Sequence, residues 1–168
     1  MKKAIVFALV ILLLGGCSQK PAQPVITVDD GSFSCTAQEL IDIVNEGING
    51  NNDILTVPDF VSSQEEISIG GTGLTLKLVE NSSEKLEKIV LYWYSGEGAK
   101  PDNIRSSGYY SGVIFEAIAP NEADDLKSMV QEAMDMGSEV EKTKSGATFN
   151  YWAFGDGGNR LTIYPAKD

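Results

Sequence analysis

The stretch Lys88–Tyr94, KIVLYWY, constrains the fold more than any other part of the sequence. Every residue after Lys88 is aliphatic or aromatic, and residues of this kind favour β-strands. Successive side chains of a strand point to opposite faces of a sheet, so this strand would be apolar on both faces. We therefore expect it to lie at the centre of a sheet or to be covered on both sides.

Further strands are predicted on either side of this stretch. Apolar residues occupy alternate positions in residues 67–69 and again in residues 74–79, with a glycine turn between the two segments. Near the carboxyl end, residues 147–154 and 160–164 also have strand character. The glycine-rich segment 155–159, GDGGN, joins them, so the chain is expected to end in a β-hairpin.

The clearest helix signal begins at Thr36. Thr36 and Glu39 have the spacing of a capping box, and apolar residues follow at helical spacing until about Glu46. Cys35 immediately precedes this helix, at a position where a helix amino terminus would stabilise a thiolate. Because free cysteines are commonly buried, we expect Cys35 to be a small buried residue beside the cap.

Two more helices are predicted in the second half of the chain. Residues 103–118 place four apolar residues on one side, namely Ile104, Tyr110, Ile114 and Ile118. Gly108 and Gly112 lie within this segment, and we expect them to let the helix lie close to the sheet. The third helix is predicted to begin at Asn121 as its N-cap and to end at Gly137.

The order of these elements favours an α+β domain. A helix is followed by several strands, two helices and a terminal hairpin, and strands do not alternate regularly with helices. This order predicts one largely antiparallel β-sheet with about three helices packed on it, in two layers. No motif in residues 35–168 identifies a family for this domain.

The amino-terminal segment has the features of an export signal. Two lysines precede an unbroken apolar run over residues 4–14, which is shorter than the roughly 20 residues that a membrane-spanning helix requires. The run ends in Leu14-Gly15-Gly16-Cys17. This ending resembles the lipobox of bacterial lipoproteins, in which an aliphatic residue and two small residues precede the cysteine that receives the lipid.

The resemblance implies cleavage between Gly16 and Cys17, a diacylglyceryl thioether on Cys17 and an acyl group on the new amino terminus. Two or more acyl chains anchor a protein stably. We therefore expect an extracytoplasmic protein held by lipid on the bacterial cell membrane or outer membrane, with these covalent groups and no other cofactor. The implied organisation is a signal peptide over residues 1–16, a lipidated tether over residues 17–34 and a single globular domain over residues 35–168.

The chain is acidic, with 24 Asp and Glu, 13 Lys and Arg and a formal net charge of −11. Removal of residues 1–16 takes away two lysines and no acidic residue, so the remaining chain is more acidic still. Such a surface repels phosphate backbones and anionic headgroups. We expect no nucleic-acid partner, and we expect partners that are neutral, basic or cationic. The lipid alone would attach the protein to its membrane.

Groups that commonly carry catalysis are sparse. The sequence contains no histidine, which removes Ser-His and Cys-His nucleophile pairs and the usual zinc sites. Asn49, Asn51 and Asp53 have the spacing that opens a calcium loop, but Ile54 replaces the required glycine and Phe60 the closing glutamate. We predict no metal site and no catalytic residue. Carboxylate-pair chemistry, a lysine-activated serine and thiol chemistry at Cys35 are the routes left to an enzyme.

Two similar segments surround the two tryptophans. YWYSGEG at 92–98 and YWAFGDG at 151–157 each lead an aromatic strand into an acidic glycine turn. Strand alternation places Trp152 on the more polar face of its strand. If Trp93 lies on the same face of the sheet, it forms an exposed aromatic recognition patch with Tyr94 and Trp152. The alternative is that the tryptophans belong to the core.

Together these features predict a lipid-anchored extracytoplasmic protein of the bacterial envelope that acts by binding and has no catalysis of its own. Its partner would be an envelope protein, a secreted protein or a small ligand. One alternative is an inhibitor or immunity-type lipoprotein that blocks a secreted enzyme, which would capture a single stoichiometric partner. Another is a hydrolase that works without histidine.

Overall fold

A computed structural model describes residues 22–48, 51–62, 66–71 and 73–167 of the chain. The predicted signal peptide, the lipobox and Cys17 lie outside the described residues. Three helices occur in the described part: α1 (Ala37–Glu46), α2 (Pro101–Ile118) and α3 (Ala123–Met136). Its strands are β1 (Val28–Asp29), β2 (Ser32–Phe33), β3 (Glu66–Ser68), β4 (Leu74–Glu80), β5 (Leu86–Tyr94), β6 (Glu139–Lys144), β7 (Ala147–Ala153) and β8 (Gly158–Pro165).

Within the described residues, six strands form one antiparallel sheet in the order β3-β4-β5-β8-β7-β6. The helices pack on this sheet, with α1 against β4, α2 against β5, and α3 against β6 and β7. Strands β1 and β2 pair with each other in a separate short hairpin. The predicted α+β class, with helices packed on a largely antiparallel sheet, is confirmed.

Strand β5 lies at the centre of the sheet, between β4 and β8, as its apolar sequence predicts. Ile89, Leu91 and Trp93 are buried beneath the helices, whereas Tyr92 is 40% exposed. Val90 is half-buried. The described part of the chain therefore covers one face of β5 and leaves the other in contact with solvent.

Helix α1 is fixed at its amino terminus by the predicted capping box. The Glu39 backbone N–H donates to Thr36 Oγ1 at 3.2 Å, and the Thr36 N–H donates to Glu39 Oε2 at 2.9 Å. These two bonds satisfy backbone donors that have no partner within the helix. The apolar stripe Leu40, Ile41 and Val44 is buried against the sheet, so local capping and packing favour the same structure.

The prediction for the glycines of helix α2 is wrong. A Cβ atom placed on Gly108 or Gly112 would meet no heavy atom within 4 Å, so neither glycine permits a close contact. The small buried residues of α2 are instead Ser106, Ser107, Ser111 and Ala117. Ile104, expected on the buried side, is 40% exposed.

The start of α3 also differs from the prediction. Glu122 is its N-cap, and Asn121 is used elsewhere. The Asn121 side chain forms two 2.9 Å hydrogen bonds with the backbone of Ala22, one as donor and one as acceptor. The carboxyl end agrees with the prediction, because Gly137 adopts a left-handed conformation at φ 59° that glycine accepts at little cost.

The predicted tether over residues 17–34 is too long. Besides the bonds between Ala22 and Asn121, the N–H groups of Val25 and Ile26 both donate to the Ala117 carbonyl at 2.9 Å. Ile26 and Phe33 are fully buried in the core of the domain. Residues 22–34 are therefore part of the folded domain, since apolar residues of this segment complete its core.

Strand β6 was not predicted from the sequence. It pairs along its length with β7 at one edge of the sheet. Lys142 and Lys144 of β6 reach Asp125 of α3, with Nζ–carboxylate distances of 2.6 Å and 3.0 Å. These ion pairs join the edge strand to the helix layer. Among the described residues, no helix is both long and apolar enough to cross a membrane.

Candidate functional site

The face of the sheet opposite the helices, called here the outer face, is left uncovered by the described residues. Along β4, β5, β8 and β7, the side chains of one face are buried and those of the other, apart from the buried Thr148, are half-buried or exposed. The cations of these four strands are Lys77, Lys88 and Arg160. Their acidic residues are Glu80 and Glu87, at the ends of β4 and β5 that lie far from Tyr94.

Near one end of the outer face, three aromatic residues surround Arg160. Arg160 of β8 pairs directly with Tyr92 of β5 and with Trp152 of β7, so the three side chains form a row across the sheet. Trp152 and Phe154 stack, with ring centroids 4.4 Å apart and an interplanar angle of 27°. The Arg160 guanidinium carbon lies 5.0 Å from the Trp152 ring and 5.8 Å from the Phe154 ring. We call these four residues the aromatic–arginine cluster.

The Arg160 side chain has no hydrogen-bond or carboxylate partner among the described residues, and its Nε is buried. Its position is set by the faces of the aromatic rings, which attract cations within about 6 Å. Glu139 and Glu141 of the neighbouring strand β6 lie on the same face, with Glu139 paired with Trp152, and their carboxylates accept from Asn150 at 2.7 Å and 3.2 Å. The guanidinium is therefore held by the ring faces and forms no ion pair among the described residues.

The other arginine of the chain shows the contrast. Arg105 on α2 lies 3.4 Å from an oxygen of Asp53 and 3.6 Å from an oxygen of Asp102. It forms ordinary surface ion pairs of the kind that contribute little to stability. The sequence alone does not distinguish Arg160 from Arg105, because only the pairing of the strands places Arg160 among aromatic rings.

The expectation that Trp93 and Trp152 share a face is wrong. Trp93 is 5% exposed and lies on the inner face, with its ring centroid 5.5 Å from that of Tyr151. Trp152 is half-buried on the outer face, and Tyr94 is half-buried on the same side as Tyr92. The structure thus places Tyr94 and Trp152 on the same face of the sheet and removes Trp93 from the predicted patch.

Sequence reasoning also missed Tyr92, Phe154 and Arg160. Strand alternation alone would have grouped Tyr92 with Tyr94, and Phe154 with Trp152. To predict the neighbours of Arg160, the register of three strands must be known, because Tyr92 and Trp152 are separated from each other by many residues of sequence. A pattern with period two gives the face of a residue but not its neighbours across the sheet.

The two glycine turns that follow the aromatic strands meet at the edge of the cluster. The Ser95 N–H donates to the Gly157 carbonyl at 2.7 Å, and Asn159 Nδ2 donates to Ser95 Oγ at 2.8 Å. Corresponding side chains of the two segments lie on opposite faces of the sheet, because Tyr92 points outward whereas the corresponding Tyr151 is buried. The segments are therefore two similar strand ends that contact each other, and their similarity does not indicate a duplicated half.

The thiol of Cys35 is poorly placed to react. It is 6% exposed, and burial, together with the nearby Glu39 carboxylate, raises the pKa of its thiol to about 12. A thiol with this pKa stays protonated near neutral pH and is a poor nucleophile. Among the described residues, no three His, Cys, Asp or Glu side chains are grouped so that they could hold a metal ion.

The fold and the cluster define an α+β domain in which the described residues leave one sheet face uncovered, and this face carries an arginine among aromatic rings. Comparison of the chain with protein-family models, with curated proteins and with solved structures gave no match. What the site binds is therefore inferred from the chemistry of its own residues.

Proposed function

We propose that this chain is a lipid-anchored extracytoplasmic protein of the bacterial envelope that acts by binding through the outer face of its sheet. The observation that carries this proposal is the aromatic–arginine cluster on a sheet face without a cover in the described residues. The Leu14-Gly15-Gly16-Cys17 ending supports the anchor. The proposal includes no catalysis by the domain itself.

The residue types of the cluster favour binding. Tyrosine, tryptophan and arginine are the residues most enriched among those that dominate binding energies at interfaces. They combine flat apolar surface with a polar or charged group, so they gain from desolvation without being buried in the free protein. A solvated sheet face built only for folding would more commonly be polar.

The absence of catalysis is supported by the environment of the candidate groups. The Cys35 thiol is buried and its pKa is raised to about 12, which disfavours nucleophilic chemistry. Asp125 is engaged by two lysines of β6, and the hydrogen bond from Lys142, followed by that from Lys144, lowers the pKa of its carboxyl group. A general acid would need the opposite shift.

Oxidative footprinting of the full chain, with and without envelope fragments of the producing cells, tests the proposal. We expect protection of Tyr92 and Trp152, because a partner on the outer face would exclude solvent from both. Met134 and Met136 on α3 are exposed and easily oxidised, so they provide an internal control on the helix layer. Protection confined to these two methionines would contradict the assignment of the binding face.

The lipid anchor is tested by a separate experiment. Cys17→Ser should abolish labelling by a fatty-acid analogue and release the protein from the membrane fraction or leave it unprocessed. Because Cys17 lies outside the described residues, this variant tests localisation separately from the outer face. Equal labelling of the variant and the unaltered chain would contradict the lipid anchor.

A further inference from the structure

We infer that the aromatic–arginine cluster binds a sugar ring that carries a carboxylate, of the uronic-acid type. This inference rests on the proposed binding function and specifies the chemistry of the ligand. Three parts of such a ring would meet three features of the outer face: its carboxylate, its apolar C–H face and its hydroxyl groups.

The carboxylate is assigned to Arg160. A guanidinium presents a planar fork of N–H donors that matches the two oxygens of a carboxylate. Arg160 is held at 5.0 Å and 5.8 Å from two aromatic rings and has no carboxylate partner among the described residues. Fixing the fork in advance reduces the entropy lost on binding.

The charge nearest the cluster is that of Arg160 itself, which forms no ion pair among the described residues. The outer face also carries acidic residues, since Glu139 of β6 pairs with Trp152 and Glu141 with Asn150, but both carboxylates accept hydrogen bonds from Asn150. The net charge of −11 led us to expect neutral, basic or cationic partners. That expectation concerns approach from a distance, where the summed field of the protein acts, whereas contact is decided by the nearest charges.

The C–H face of the ring is assigned to the aromatic side chains. Trp152 and Phe154 are stacked at 27°, and Tyr92 is 40% exposed on the other side of Arg160. The faces of aromatic rings carry partial negative charge. They therefore attract the slightly positive C–H groups of a pyranose, which lie together on one side of the sugar ring.

Hydroxyl-bearing residues next to the cluster suit the remaining groups of a sugar. Thr75 pairs with Tyr92 across the sheet, and Thr162 follows Arg160 by two residues on the same face. Hydroxyls both donate and accept hydrogen bonds, as the hydroxyls of a sugar do. A lipid phosphate or a polyphosphate would use the cations but would leave the rings and threonines without a role.

Titration of the full chain in mild detergent, followed by NMR of the two indole N–H signals, tests this inference. The probes are glucuronate and glucose, which share the ring and differ in the carboxylate. We expect glucuronate to shift the Trp152 signal saturably and to bind about ten-fold more tightly than glucose, as the loss of a hydrogen bond between charged groups implies. Trp93 is buried on the inner face, so its signal should not move and also reports that the fold is intact.

Variants locate the interaction. Arg160→Gln should weaken glucuronate binding about ten-fold and leave glucose binding unchanged. Arg105→Gln is the matched control, because it removes the other arginine and changes the net charge equally, yet lies on the helix layer. A shift of the Trp93 signal in Arg160→Gln would mean that this variant disturbs the fold. Tyr92→Ala, at the exposed side of the cluster, is then used in its place, and it should weaken the binding of both sugars.

Several outcomes would overturn the inference. Equal binding of glucuronate and glucose, or equal effects of the two arginine variants, would remove Arg160 as the carboxylate site. Tighter binding of benzoate than of glucuronate would assign the site to aromatic acids, and a silent Trp152 signal with every probe would remove the ligand assignment. If Tyr92 and Trp152 are nevertheless protected in the footprinting experiment, the binding function stands and only its sugar ligand fails.

Discussion

At the scale of single residues, Cys35 shows how burial overrides a local electrostatic preference. The residue directly precedes the N-cap of α1, where backbone N–H groups favour a negative charge. Desolvation acts more strongly, and the neighbouring Glu39 adds to it, so the pKa of the thiol rises to about 12 from an ordinary value of 9.0. The folded protein therefore keeps a proton that the unfolded chain releases above pH 9.0.

This difference predicts that stability falls as the pH rises from 9.0 towards 12. The free energy of unfolding should drop by up to about 1.4 kcal/mol per pH unit from Cys35 alone, because the unfolded state gains by ionising and the folded state does not. Cys35→Ala should cost about 1–2 kcal/mol near pH 7 through lost packing. Above pH 9 the variant should then lose stability less steeply than the unaltered chain.

Urea unfolding at pH 7, 9 and 10 measures both slopes. Tyr110 and Tyr151 are buried and also have raised pKa values, but they are present in both proteins and cancel in the comparison. Alkylation by iodoacetamide gives a second measurement in a Cys17→Ser background, where the native thiol should react far more slowly than in urea. Parallel pH slopes for the two proteins would contradict a buried, protonated Cys35.

At the scale of elements, the two glycine turns form a contact that tolerates no side chain. Gly157 has φ +95°, and a Cβ atom there would lie 2.5 Å from the Gly96 Cα and 2.6 Å from its nitrogen. The turns hold the ends of β5, β7 and β8 in register, since Ser95 and Asn159 bond across them. The aromatic–arginine cluster depends on that register, because its rings come from two different strands.

We predict that Gly157→Ala lowers the free energy of unfolding by about 2–4 kcal/mol, from positive-φ strain and the backbone clash together. Gly98→Ala separates the two causes, because Gly98 has φ +82° but no atom within 4 Å of the added Cβ, and it should cost only about 1 kcal/mol. Gly155→Ala, with neither feature, should be close to neutral. Equal losses for Gly157→Ala and Gly98→Ala in urea unfolding would show that the turns do not press on each other.

Local signals were sufficient for most elements of the fold. The capping box located α1, alternation located β4, β7 and β8, and the apolar run placed β5 at the sheet centre. Each of these signals is satisfied by contacts within the element or by burial of one face. The α+β class follows from their order.

The errors concern positions that depend on distant parts of the chain. Strand β6, EVEKTK, is mostly charged, and it depends on pairing with β7 and on the contacts of its lysines with Asp125 on α3. Asn121 leaves its expected capping role because Ala22, far away in sequence, lies within reach of its side chain. The face of Trp93 and the neighbours of Arg160 required the strand register, which no local pattern contains.

At the scale of the whole molecule, the amino-terminal segment limits how the domain would stand on a membrane. Ala22 is fastened to Asn121, and Val25 and Ile26 to Ala117, at the carboxyl end of α2. Cys17 and Ala22 are five residues apart, so the backbone between them spans at most about 18 Å whatever its conformation. A lipid on Cys17 would thus keep this end of the domain close to the bilayer.

The cluster lies towards the other end. Helix α2 begins just after the turn that follows β5 and has 18 residues, a length of about 27 Å, before it reaches the anchored end. The glycine turns that border Tyr94 and Phe154 are therefore about one helix length from the anchored end. The acidic surface also disfavours contact with anionic headgroups. The short anchor and the long helix together would hold the cluster away from the membrane.

This geometry predicts that Trp152 is poorly quenched by spin-labelled lipid in vesicles that carry the lipidated chain. Trp93→Phe leaves Trp152 as the sole indole and changes only an inner-face residue. The control is Val25→Trp with both native tryptophans replaced by phenylalanine, because Val25 is 46% exposed and adjoins the anchored end. We expect shallow spin labels to quench the control strongly and Trp152 weakly, since such quenching fades within about one bilayer leaflet, roughly 15 Å. Equal quenching at the two positions would mean that the domain lies on its side, and the outer face would then meet the membrane.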